Sequence, residues 1–228
     1  MSYRGSPDLC RVPAMLYNPP HFRENDRTVL DDHIRRAAFA TLVSAGAEGP
    51  IVSHLPMLLQ AEPAPQGALI GHVARANPQW KASDLSKPVL AIFGGPHGYV
   101  SPSWYPGKTE HGRVVPTWNY AVVHVTGRLV VLDDPDAVLD IVQRLTDTHE
   151  AGFASPWKVA DAPADFVRAQ LKGIVGLRLE ITSVEGKMKL SQNRPAADRE
   201  GVVAGLEARP DPASHALGGL MREKGPRD

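Results

Sequence analysis

Apolar positions recur along this chain with two different periods, and the switches between them divide it into elements. Val29, Leu30, Ile34 and Ala37 share one face of a helix that Asn25 or Asp26 can cap. The run Phe39-Ala40-Thr41-Leu42-Val43 then reads as a strand, Gly46-Ala47-Glu48-Gly49 as a turn and residues 51–59 as a second strand, which together predict a hairpin. A third strand is expected over residues 68–74. Asn77-Pro78 opens a short helix through Trp80, because proline suits the first helical position. Val89-Leu90-Ala91-Ile92-Phe93 is a continuous apolar strand, whereas residues 94–112, rich in Gly, Pro, Tyr and Trp, predict a long loop. Residues 120–132 alternate, with Val123, Val125 and Leu129 on one face. Asp134-Pro135 caps a helix whose face is Val138, Ile141, Val142 and Leu145, and a shorter helix over residues 163–171 stops at Gly173. Val175, Leu177, Leu179 and Ile181 mark the last core strand. Beyond Pro195 the pattern gives two short helical pieces broken by Pro210 and Pro212.

Five or six strands joined mostly by short turns, with helices inserted late, predict a mainly β fold of the α+β class. The expected form is an antiparallel barrel with peripheral helices rather than a doubly wound sheet. The sequence holds neither an internal repeat nor a Gly/Ser-rich linker. The expected organisation is a loose extension over residues 1–14, with Met15 as a second candidate start, a barrel domain over 15–207 and a helical tail over 208–228.

With 228 residues, 43% of them hydrophobic, the chain can bury one large core. Its 25 basic and 25 acidic residues cancel, which removes a global field toward nucleic acid or anionic lipid. Only Arg35-Arg36 and the tail with Arg222, Lys224 and Arg227 concentrate cations, and acids flank both, so direct DNA binding is doubtful. The single cysteine, Cys10, excludes an intramolecular disulfide and fits a reducing compartment. No stretch resembles a signal peptide, and no apolar run approaches the roughly 20 residues of a membrane helix. The expectation is a cytoplasmic protein.

Common catalytic signatures are missing. There is no Gly-x-Gly-x-x-Gly entering a helix, no phosphate-loop lysine, no His-Glu-x-x-His and no Gly-x-Ser-x-Gly elbow, so neither a metal site nor a catalytic nucleophile is assigned. Gly94-Gly95-Pro96-His97-Gly98 reads as a flexible strand exit. Two stretches stand apart: residues 185–194, which place Lys, Ser, Gln, Asn and Arg directly after a strand, and Val115-Pro116-Thr117-Trp118-Asn119-Tyr120, which opens one with an indole between hydrogen-bonding groups. A flat aromatic cofactor carrying a phosphate needs hydroxyls, amides or cations for the phosphate, an apolar or indole wall, and donors at the ring edge. Ser53 and His54, then Arg75 and Asn77 at a helix start, supply the first requirement; Trp80, Trp104 and Trp118 supply the second. Each also has an ordinary alternative: packing for Trp80, a solvent-facing strand position for Ser53, a surface cation for Arg75.

The resemblance to a known family is carried by Met15-Leu16-Tyr17-Asn18-Pro19-Pro20-His21-Phe22, the strand Ala40-Thr41-Leu42-Val43-Ser44, His54-Leu55-Pro56, His72-Val73-Ala74-Arg75-Ala76-Asn77-Pro78-Gln79-Trp80, Tyr99-Val100-Ser101-Pro102-Ser103-Trp104-Tyr105, residues 115–120 and residues 189–194. Over about residues 15–207 the chain resembles the PaiB family, described as FMN-binding negative transcriptional regulators with a split barrel like that of pyridoxamine phosphate oxidases and flavin reductases. Leu16 is inserted between the usual Met and Tyr, and Met188 stands where the family often has Trp. The resemblance implies FMN at a homodimer interface, its phosphate near Ser53, His54 and the turn from Ala74 to Asn77, with Trp118 and Asn119 near the ring and Lys189 and Gln192 approaching the same pocket. The implied cofactor-binding set is Ser53, His54, Leu55, His72, Ala74, Arg75, Asn77, Trp80, Trp118, Asn119, Lys189 and Gln192. A PaiB-type regulator acting through a protein partner, or an FMN-dependent oxidoreductase, would use the same residues. A ring face left open beside His97, Tyr99 and Trp104 would favour the enzyme.

Overall fold

A computed structural model describes residues 16–62 and 65–225. Cys10, the extension over 1–14 and the alternative start at Met15 lie outside the described residues.

Eight strands form one antiparallel sheet among these residues. They are β1 (Arg23–Glu24), β2 (Phe39–Gly46), β3 (Gly49–Pro56), β4 (Leu58–Gln60), β5 (Ala68–Ala74), β6 (Val89–Val100), β7 (Thr117–Leu132) and β8 (Ile174–Lys189). Their order is β3-β2-β6-β7-β8-β5-β4, with β1 added to β8. The sheet curls until β3 meets β5 near the other edge. Gly71 on β5 permits that approach, since a Cβ there would stand 2.7 Å from the Pro56 carbonyl. The 51–59 run is therefore two strands: β3 pairs with β2, and after Met57 the chain crosses to pair with β5 as β4.

Alternation sorts side chains to two faces. Leu42, Leu55, Leu69, Phe93, Val123, Val125, Leu177 and Leu179 point into the curl and are almost completely buried. Helix α1 (Arg27–Ala37) adds Leu30 and Ile34 to this core. Its cap is Asp26, whose carboxylate accepts from the Thr28 amide at 2.9 Å. The short helix α2 (Gln79–Ala82) follows Pro78, and α3 (Gly107–Glu110) lies in the connection before β7. Helix α4 (Pro135–Glu150), capped by Asp134 on the amides of Asp136 and Ala137, packs Ile141 and Leu145 against Ile70 on the outside of β5. Helix α5 (Ala164–Leu171) precedes β8, and α6 (Ala196–Glu207) and α7 (Pro212–Lys224) follow it, burying Val202, Leu206, Leu217 and Met221 in the main core.

Three segments differ from the sequence pattern. The glycine-rich stretch expected as a loop stays in β6 up to Val100, because a bulge between Gly94 and His97 takes up the irregular residues and pairing with β7 resumes at His97. Residues 185–189 belong to β8 rather than following it, paired with β7 from Tyr120 to His124. Pro212 begins α7 instead of breaking a helix, since a proline at the first position sacrifices no intrahelical bond.

Candidate functional site

The sequence-predicted residues gather in two groups at different ends of the sheet. The first lies where β3 meets α2. Ser53 is buried on the inner face of β3, donating to Gln79 Oε1 at 2.8 Å and accepting from Asn77 Nδ2 at 2.9 Å. Gln79, with no exposed surface, donates in turn to Ser44 Oγ at 2.7 Å, and Ser44 Oγ lies 2.5 Å from Ser83 Oγ. The result is a chain of neutral donors and acceptors tying β2, β3 and α2 together. Arg75 and Trp80 flank it. The Arg75 guanidinium is committed to Asp133 at 2.6 and 3.1 Å and to the Lys172 and Ile174 carbonyls. Hydrogen bonding to Arg75 also holds the Asp133 carboxyl below its usual range. The Trp80 indole donates to the Arg75 carbonyl at 3.0 Å, and Lys81 Nζ sits 4.5 Å from its ring centre.

Three of the expected residues near this group point elsewhere. Leu55 is buried in the core, and His54 faces outward, stacked on Phe39 with its Nδ1 3.1 Å from Thr41 Oγ1. His72 shares the face of Ile70, and its buried Nδ1 has no partner. Burial holds its pKa below 6.5. Ala74 contributes only backbone, its carbonyl accepting from the Asn77 amide at 2.8 Å.

The second group lies at the far end of β6, β7 and β8. Trp118 is 49% exposed and Tyr99 45%; with His97 they form an aromatic platform on the outer face, the Trp118–His97 ring centres 6.0 Å apart and the Trp118–Tyr99 centres 6.3 Å. Lys189 stands beside it, donating to Thr117 Oγ1 at 2.5 Å and to the Trp118 carbonyl at 2.6 Å. Burial, reinforced by the neighbouring cations Lys187 and Arg194, holds the Lys189 amine below the usual lysine range. Lys187, which the sequence reading did not single out, lies 5.4 Å from the Tyr120 ring centre and 5.1 Å from that of Tyr17.

Asn119 and Gln192 are used internally. Adjacent residues of a strand face opposite sides, so Asn119 turns away from Trp118 and lies beneath α7, donating to Ser191 Oγ at 2.9 Å. That contact braces Ser191 in a left-handed conformation at φ 61°. Gln192 closes the same turn, accepting from the Leu190 amide at 2.7 Å and donating to the Met188 carbonyl. Both shape the loop that carries Lys189. Trp104, the remaining tryptophan of the sequence reading, packs against Gly201 and Gly205 of α6. Among the described residues no group of three or more His, Cys, Asp or Glu side chains could hold a metal ion.

An antiparallel sheet of this order, curled until its edges approach, defines a split barrel. The fold matches the FAD and heme binding protein of Mycobacterium smegmatis with a TM-score of 0.56 at 19% identity, over 80% of each chain. It matches the flavocytochrome Anf3 of Azotobacter vinelandii at 0.52 and 12%, over 73% of this chain and 69% of that one. Residues 16–183 match the family described as "Putative FMN-binding domain". The chain is 29% identical to protease synthase and sporulation protein PAI 2 of Bacillus subtilis over 92% of its length and 98% of that protein, and 33% identical to an uncharacterized Emericella nidulans protein over 76% and 81%. The chain belongs to this FMN-binding, PaiB-like family, and FMN is the cofactor that membership assigns.

The residues present suit such a group. Trp118, Tyr99 and His97 offer a π surface open to a planar ring, and Lys189 offers a cation at its edge. The Ser53 hydroxyl and the Asn77 amide, by contrast, are already committed to each other and to Gln79.

Proposed function

We propose that the protein binds one FMN per subunit in a site shared between two copies of the chain, and that the bound flavin exchanges electrons with a small substrate. One observation carries the shared site: the two groups are far apart on one chain. In the sheet register Ser53 lines up through Leu42 and Ala91 with Val125, and Trp118 lies seven residues further along β7, about 23 Å at roughly 3.3 Å per residue. They also face opposite sides of the sheet.

A twofold partner laid on the outer face would bring the platform of one copy toward His54 of the other, the member of the first group that faces outward on β3. That face has room for it, with Phe39 59% and Val52 51% exposed beside Val43, Leu90 and Ile92. Covering a bare apolar sheet face is a common reason for such chains to dimerise. When bound, the flavin supplies the redox chemistry; the protein supplies binding, orientation and the Lys189 cation beside the ring.

The open platform favours the oxidoreductase reading over a sealed sensor pocket. A PaiB-type negative regulator remains the second reading, favoured by the shared motifs, and it would act through a protein partner. Among the described residues, the arginines and lysine of the two basic concentrations are paired with acids: Arg35 with Asp32, Arg36 with Glu223, Arg222 with Glu207 and Lys224 with Glu24. That leaves little unpaired positive charge for phosphates.

Equilibrium dialysis with FMN, followed by anaerobic reduction of the bound flavin with a nicotinamide donor, tests the proposal. Uptake of one FMN per subunit and donor-dependent bleaching support it. No uptake at micromolar FMN rejects the site; uptake without turnover, together with partner capture that depends on flavin, moves the conclusion to the regulator.

A further inference from the structure

On the other side of the sheet from Trp118 and Lys189, a cleft of about 560 Å³ opens between α1 and α7. Its position follows from alternation: Met188 lines the cleft, while Lys187 and Lys189 on either side of it face the opposite way. One wall, α7, lies beyond the residues 16–183 that match the FMN-binding family. The volume falls within the roughly 300–1,000 Å³ of small-molecule sites.

We propose that this cleft binds an uncharged aromatic molecule of one or two rings carrying a hydroxyl or ring N–H, separately from the flavin. Three features select that class. Gly94 and Gly95 at the β6 bulge and Gly219 of α7 line the cleft without side chains, and a Cβ at Gly94 or Gly219 would meet nothing within 4 Å, which leaves room for a ring. Met188 lines the cleft with them, and sulfur packs favourably at the edge of aromatic rings.

The lining charges balance, Asp32 and Glu223 against Arg36 and Lys224, so a net-charged ligand gains nothing. The third feature is His33. Its Nε2 is 3.1 Å from the Phe93 carbonyl, which only accepts, so Nε2 carries the proton and Nδ1 is left as a lone-pair acceptor for a donor on the ligand. Burial lowers the pKa of this imidazole from its ordinary value, which favours the neutral form.

Fluorescence titration of the full chain with 1-naphthol, with and without saturating FMN, tests the assignment. Saturable binding of one naphthol per chain, unchanged by FMN, is expected. Gly219→Leu and Gly94→Val fill the cleft from α7 and from β6, and each should weaken binding by more than tenfold, with circular dichroism reporting that the fold is kept. His33→Phe preserves ring volume but removes the acceptor and should weaken binding about tenfold. Binding that both filling variants leave intact, binding displaced by FMN, or no saturation up to the solubility of the probe would each overturn the proposal.

Discussion

Trp118 has half its indole in solvent and touches only His97 and Tyr99 among the rings, so its loss should be felt by a ligand rather than by the core. Trp118→Ala is expected to lower FMN affinity about five- to tenfold, the equivalent of roughly 1 kcal/mol for an aromatic stacking pair, with the melting temperature unchanged. Quenching of FMN fluorescence measures this, and an unchanged affinity would place the ring elsewhere. Histidines give a second prediction. His33, His72 and His124 all have pKa values lowered from 6.5, desolvation being the largest cause in each. The unfolded chain therefore binds more protons just below pH 6.5 than the folded one. Their stabilising contribution is present above pH 6.5 and is lost as pH falls through the lowered folded values. The urea midpoint should be lower at pH 5.5 than at pH 7.5, and His72→Phe, which removes a buried ring nitrogen without a partner, should shrink that difference. Ser53, Asn77, Trp118 and Lys189 stood out as candidates because hydroxyls, amides, an indole and a cation contrast with apolar strands. Gln79 was not. A glutamine at a helix start reads as solvated, and only packing against β2 and β3 makes it the buried centre of the hydrogen-bond chain.

Among the elements, α2 owes its position to that chain rather than to its own four residues, which are too few for a stable helix. Gln79→Ala takes from Ser53 the acceptor of its hydroxyl and from Ser44 the amide that donates to it, and should cost about 1–3 kcal/mol, the usual range for unsatisfied buried groups. Thermal denaturation reads it, and a loss below a few tenths would mean that water replaces the amide. The periodicity of β2, β7 and β8 and the caps at Asp26 and Asp134 were plain from the sequence, because one buried face imposes a period of two and an exposed helix start needs an acceptor. The second half of β6 was hidden, since Gly94-Gly95-Pro96-His97-Gly98 has loop composition. Its strand state comes from β7, which re-pairs with it beyond the bulge. Residues 185–189 were hidden differently: Lys187 and Lys189 alternate with Gly186 and Met188, but charge on the outward positions masked the period.

For the whole molecule, the sheet order and the positions of its two polar groups set the central question, whether one chain or two complete the flavin site. A protein whose outer face carries Phe39, Val52 and Ile92 should run in light scattering at twice its 24.6 kDa mass. Complementation is the sharper test. His54→Ala removes the outward-facing imidazole from one half of the site and Trp118→Ala removes the platform from the other, and each variant alone should bind FMN poorly. In a dimer reconstituted from the two, one shared site regains an intact His54 from one subunit and an intact Trp118 from the other. Equilibrium dialysis of the mixture against FMN should therefore recover part of the wild-type uptake that neither variant has by itself, whereas uptake no greater than the average of the two variants would contradict a site shared between subunits.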